Sequence, residues 1–136
     1  MAGNVLVDTS FLVAFLNGRD THHDWATTQA ARSALPWKTC EPVLAEAFYV
    51  LGPLALSQLV DLLKRQAVIS AFHLEENLES VLNLLRKYAD VPMSLADACL
   101  VRMTETLPDP VLLTADSDFG VYRRHGRQVI PRLTPH

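Results

Sequence analysis

Val5-Leu6-Val7 and Val111-Leu112-Leu113 are branched aliphatic throughout, and neither run alternates with polar residues. A strand with one wet face alternates in polarity, whereas an unbroken apolar strand is covered on both faces. Amphipathic helical stretches separate these runs, so the chain is expected to build a mostly parallel sheet clothed on both sides by helices. Periodicity and breakers predict strands at 5–7, 37–40, 68–72 and 111–114, with a short final one at 128–130, which makes a sheet of four to five strands. Helices are predicted at 9–16, 21–35, 43–51, 54–66, 74–88 and 94–107, with Asn17-Gly18, Pro36 and Gly52-Pro53 as stops.

The 136 residues are 49% hydrophobic and 20% charged, too aliphatic for disorder and enough for one buried core, so a single domain over 1–136 is expected. The apolar run at 5–16 is broken by Asp8 and lacks a basic leader, which argues against a membrane span or signal peptide. Cys40 and Cys99 sit in apolar segments and read as buried thiols of a reducing, cytoplasmic compartment. A net charge of −3 counts against nonspecific gripping of phosphates, although a carboxylate metal site would itself lower the total. Arg123, Arg124, His125, Arg127 and Arg132 form the one basic concentration and read as solvated surface. His22, His23, Trp25 and Trp37 read as helix-surface and packing residues.

Parallel α/β sheets gather ligands at the carboxyl ends of their strands. Asp8 ends the first strand and Asp116 follows the 111–114 strand by two residues, so both belong to that rim. Glu46 falls in the first turns after the 37–40 strand, and Asp97 in the first turn after Ser94. Each also has a plain structural reading. Asp8 can cap the following helix, Ser94 to Asp97 resembles a capping box with Asp at its last position, and Asp116-Ser117-Asp118 suits a turn. Thr9, Ser10 and Thr114 can hold phosphate or water at the rim, or merely cap backbone.

Glu46 is the hardest to explain locally. Val43, Leu44, Ala45, Ala47, Phe48, Val50 and Leu51 make its helix apolar nearly all round, which predicts burial. Positions three and four away are Pro42, Val43, Tyr49 and Val50, none a cation, so Glu46 needs a distant partner, a raised pKa or a metal, with metal favoured. Clustered carboxylates repel one another, and Mg²⁺ or Mn²⁺, which prefer oxygen ligands, resolve that conflict. Such an ion can bind a phosphate oxygen, activate a water and stabilise a leaving 3′ oxygen.

These motifs together resemble the PIN domain family, especially its VapC-type toxins. The resemblance rests on Val5-Leu6-Val7-Asp8-Thr9-Ser10, Pro42-Val43-Leu44-Ala45-Glu46-Ala47 with Tyr49-Val50-Leu51, Ser94-Leu95-Ala96-Asp97-Ala98, and Leu113-Thr114-Ala115-Asp116-Ser117-Asp118-Phe119. It covers essentially the whole chain. It implies a Rossmann-like fold and a Mg²⁺- or Mn²⁺-dependent endoribonuclease. Asp8 and Asp97 then match the main metal ligands, Glu46 the acid that positions metal or water, and Asp116 the fourth acid and a further ligand. Asp118 is an alternative fourth acid, or a partner orienting Thr114. The resemblance also implies an RNA substrate, a homodimer, and an antitoxin whose tail lies across the acidic groove. One departure is Glu41, where the family pattern leads us to expect a small hydroxyl residue.

Two other classes fit less well. An aspartate-nucleophile phosphotransferase also opens with a strand ending in Asp-Thr, but it wants a second Asp at position 10, here Ser, and a catalytic Lys near the third motif, which is missing. A degenerate nuclease fold serving as an RNA- or protein-binding module would signal itself by lost acids, and all four are retained.

Overall fold

In the computed structural model, which describes residues 3–136, five strands form one parallel sheet in the order β3-β2-β1-β4-β7. The strands are β1 (Asn4–Val7), β2 (Trp37–Thr39), β3 (Val68–Ser70), β4 (Pro110–Leu113) and β7 (Arg132–Leu133). β1 is buried along its whole length and is flanked by β2 and β4, with Val7 opposite Leu113. The chain leaves β1 toward β2 and β3 on one side, and later returns to β4 and β7 on the other. The direction of winding therefore reverses between β1 and β4, and the carboxyl ends of those two strands flank the crevice that such a reversal opens.

Six helices accompany the sheet: α1 (Thr9–Leu16), α2 (His23–Arg32), α3 (Glu41–Val50), α4 (Pro53–Lys64), α5 (Leu78–Lys87) and α6 (Leu95–Thr106). Phe11, Leu12, Leu59, Leu100 and Met103 from the helices meet Leu6, Val7, Leu112 and Leu113 from the sheet in one continuous core. Phe11 anchors it with edge-to-face contacts to Trp25 and Trp37 at 5.9 and 5.3 Å. Cys40 and Cys99 are free and buried, as expected for structural thiols. Among the described residues no helix is long and apolar enough to cross a membrane.

Several predicted boundaries shift. The helix expected at 21–35 covers only His23–Arg32. The one expected at 74–88 begins with a 3₁₀ turn, Glu75–Asn77, before α5. The closing strand expected at 128–130 is instead β6 (Gln128–Val129), paired antiparallel with β5 (Arg123–Arg124) outside the main sheet. The cause is a three-residue turn, His125-Gly126-Arg127, in which His125 and Gly126 both have positive φ, 51° and 85°, the combination that folds a tight hairpin back on itself. The fifth strand of the sheet forms only after that hairpin, at Arg132–Leu133.

The basic tail is also not a simply solvated surface. Arg123 donates to the carbonyls of Gly120, Val121 and Tyr122, Arg124 to that of Thr104, and Arg132 to that of Ile130. These half-buried guanidiniums satisfy backbone acceptors at the end of the 3₁₀ turn, in the last turns of α6 and just before β7.

Candidate active site

A cleft of about 600 Å³ opens at the β1/β4 crevice, and Asp8, Glu46, Asp97, Asp116 and Asp118 all line it. The four acids expected from four separate segments thus share one cavity, and Asp118 joins them. Asp97, Asp116 and Asp118 each offer a carboxylate oxygen, and these oxygens lie within 4.8 Å of one another.

Asp8 follows β1 directly and is only 4% exposed. It is the N-cap of α1, so its structural reading is correct, but that role uses only part of its carboxylate. Oδ1 accepts from the Phe11 amide at 2.8 Å and from the Ser10 hydroxyl at 2.7 Å, while Oδ2 accepts from the Thr114 hydroxyl. Burial pushes its pKa up to about 6 against these three bonds, with a smaller contribution from Asp116. Thr114, fully buried at the end of β4, also accepts from the Asp116 amide at 2.9 Å. Its hydroxyl is therefore oriented by Asp8 and not, as expected, by Asp118. One hydroxyl ties the loop after β4 to the carboxylate after β1.

Asp97 sits in the first turn of α6, where its amide donates to Ser94 Oγ at 3.0 Å. The capping reading holds for its backbone. Its side chain does something else: Oδ2 accepts from the Tyr122 hydroxyl at 2.9 Å. Burial, with Asp116 and Asp8 adding repulsion, pushes the Asp97 pKa up to about 6 against the Tyr122 bond. Burial and the Asp97 carboxylate in turn push the Tyr122 hydroxyl upward, so it remains a donor. Asp116 caps the short 3₁₀ turn Ser117–Gly120 by accepting from the Asp118 amide at 2.9 Å, which fixes the spacing of the two acids.

Glu46 overturns its expectation. It is exposed, because only Val43 and Ala47 of α3 are buried, while Ala45, Glu46, Tyr49 and Val50 face outward. Apolar composition misled the burial reading, since one stripe of α3 is enough to hold it on the core and the rest is free. Its partner is distant, the Thr9 hydroxyl at 2.9 Å. Glu41 lies outside the cleft lining, at the start of α3.

Sequence reasoning missed Tyr122 and gave His22 no role. The Tyr122–Asp97 contact spans 25 positions, and no local pattern announces it. His23 does pack structurally, with Nδ1 2.8 Å from the Ala14 carbonyl, whereas His22 lines the cleft.

Among the described residues no Lys or Arg pairs with any of these acids; the two ion pairs are Asp61–Arg65 and Glu105–Arg102. Repulsion within the cluster is therefore uncompensated by protein cations. Close carboxylate oxygens, raised pKa values and missing cations together form a donor set that suits a hard divalent ion.

A doubly wound parallel α/β sheet with an acidic cluster at its switch point defines the class of protein. The PIN domain family's sequence profile matches residues 5–124, and the chain belongs to that family. Among solved structures it resembles Mycobacterium tuberculosis VapC20, described as a sarcin-ricin loop cleaving toxin, with TM-score 0.70 and 21% identity over 87% of this chain and 94% of that one. At that identity the likeness speaks for the fold. No curated protein matches the chain.

Proposed function

We propose that this chain is a divalent-metal-dependent endoribonuclease, with Asp8, Asp97 and Asp116 as principal acids, joined by Asp118, and Glu46 on the outer lip. The observation that carries the reading is the convergence of Asp97, Asp116 and Asp118 oxygens within 4.8 Å of one another, in the cleft that the buried, hydrogen-bonded Asp8 also lines. Mg²⁺ or Mn²⁺ would be held by these carboxylates, and the chemistry such an ion supplies is neutralisation of the phosphodiester and acidification of the attacking water.

The protein's own part is orientation. Tyr122 holds Asp97, the Asp118 amide holds Asp116, and Ser10, Phe11 and Thr114 hold Asp8. Glu46, exposed and steadied by Thr9, would accept a proton from the attacking water or orient it. A phosphotransferase is disfavoured because position 10 is Ser10, not a second Asp, and among the described residues no Lys lines the cleft.

Membership of the PIN family and the fold shared with a toxin support a place in a cytoplasmic toxin–antitoxin pair. Protein partners, an antitoxin or a second copy, are supported by apolar surface beside the cleft, where Tyr49, Val50 and Leu54 are 91%, 59% and 85% exposed.

The test is incubation of purified protein with structured RNA in Mg²⁺, Mn²⁺ or EDTA. Metal-dependent cleavage that disappears in Asp8→Asn and Asp97→Asn is expected. RNA binding without cleavage under all of these conditions would instead identify a binding module.

A further inference from the structure

The cleft presents a phosphate-bearing substrate with six carboxylates: Asp8, Asp20, Glu46, Asp97, Asp116 and Asp118. A cation bound among the clustered three offsets part of that charge, but a polyanion also needs hydrogen-bond donors from the protein. Two of the three cleft hydroxyls are already committed as donors. Thr9 donates to Glu46 and Ser10 to Asp8, while Ser94 Oγ accepts from the Asp97 amide. One lining side chain can carry positive charge, and that is His22.

His22 is half-buried at the N-cap of α2. Its backbone amide is fixed by Asp20 Oδ1 at 2.8 Å, and its ring lies edge-on to His136 with centroids 6.0 Å apart. Among the described residues neither ring nitrogen has a hydrogen-bond partner. The backbone beneath the ring is thus fixed while both ring nitrogens are left unspent.

We propose that His22 is a substrate-binding residue of this cleft, with an imidazole N–H donating to a non-bridging oxygen of an RNA backbone phosphate. This rests on the ribonuclease reading and adds to it the group that receives the RNA backbone. Asp8, Asp97, Asp116 and Asp118 face the cation and Glu46 the water; His22 meets the anion itself. Because the ring makes no internal hydrogen bond, its replacement leaves the fold intact.

Two measurements test this. In the first, the imidazole NMR resonances of the wild-type protein are followed as a short single-stranded oligoribonucleotide is added with Mg²⁺, and His22 is assigned by the signal missing from His22→Gln. In the second, KM and kcat for RNA cleavage are compared for wild type, His22→Ala, His22→Gln and His22→Lys, with His136→Ala as the packing control. A saturable shift of the His22 signal is expected. So is a rise in KM of about tenfold in His22→Ala, with kcat nearly kept, unchanged melting and partial recovery in His22→Lys.

Unchanged KM in His22→Ala with an active wild type would overturn the proposal and leave the ribonuclease reading standing. So would an equal KM rise in His136→Ala, which would assign the effect to ring packing. A wild type that cleaves nothing would sink the enzymatic reading, and the NMR titration then decides alone: a His22 shift supports the phosphate contact and its absence refutes it.

Discussion

The Tyr122 hydroxyl, on a wholly buried ring, donates to Asp97 Oδ2 at 2.9 Å and so fixes an acid on α6 from the segment that follows the 3₁₀ turn. Tyr122 is itself wedged edge-to-face between Tyr88 and Phe119, at 5.2 and 5.3 Å. Residues that orient metal-binding groups are worth about 10–100-fold in metal affinity. Tyr122→Phe keeps the packing and removes the donor. It is expected to weaken Mn²⁺ binding by about tenfold in calorimetric titration and to cost about 1 kcal/mol of stability. Unchanged Mn²⁺ affinity would show that Asp97 needs no such support.

Thr114 makes the opposite kind of link, with one hydroxyl serving Asp8 as donor and the Asp116 amide as acceptor. Thr114→Val leaves both groups without that partner in a buried place. Urea denaturation is expected to show a loss of about 1–3 kcal/mol, with most of it restored in Thr114→Ser. Equal stability of the valine and serine variants would contradict this role for the hydroxyl.

The raised pKa values of Asp8 and Asp97, both about 6 in the folded chain against 3.8 ordinarily, give stability a definite pH dependence. A carboxylate with a raised folded pKa binds more protons in the native than in the unfolded state between those two values. The metal-free protein therefore gains stability as pH falls from about 7 toward 4, by on the order of 3 kcal/mol for Asp8 alone. For the same reason Asp97→Asn is expected to raise the melting temperature of the metal-free protein at neutral pH and to weaken its stabilisation by added Mn²⁺. Melting curves across this range in EDTA check both. Stability that falls monotonically on acidification would be the wrong sign.

Glu46 differs from the other acids because it is exposed. Glu46→Gln is expected to change stability by less than about 0.5 kcal/mol and to lower kcat by about 10²-fold or more. A destabilised glutamine variant would mean that the carboxylate has a structural task.

What could be read from the residues alone was the part governed by local rules. The unbroken β1 and β4 runs gave the parallel sheet, and the acids that follow strands landed at one rim because topology puts them there. Boundaries failed where geometry is not written in periodicity: the 3₁₀ turn Glu75-Glu76-Asn77 is wholly polar and offers no periodic signal to set it apart from the α5 it precedes, and the hairpin at His125-Gly126 turns on two backbone angles. Glu46 was misjudged because apolar residues on α3 do not reveal which of its faces meets the core. Tyr122 and His22 were out of reach for a related reason, since each acquires its place through contacts with segments distant in sequence.

In the proposed mechanism these carboxylates support hydrolysis of RNA by a metal-assisted water. The most direct test is to identify the ends of the fragments made from an end-labelled RNA in Mg²⁺ or Mn²⁺ and in EDTA. With metal, attack by water is expected to leave 5′-phosphate and 3′-hydroxyl ends, and in EDTA the RNA is expected to stay intact. Cleavage that persists in EDTA, or fragments ending in a 2′,3′-cyclic phosphate, would contradict it.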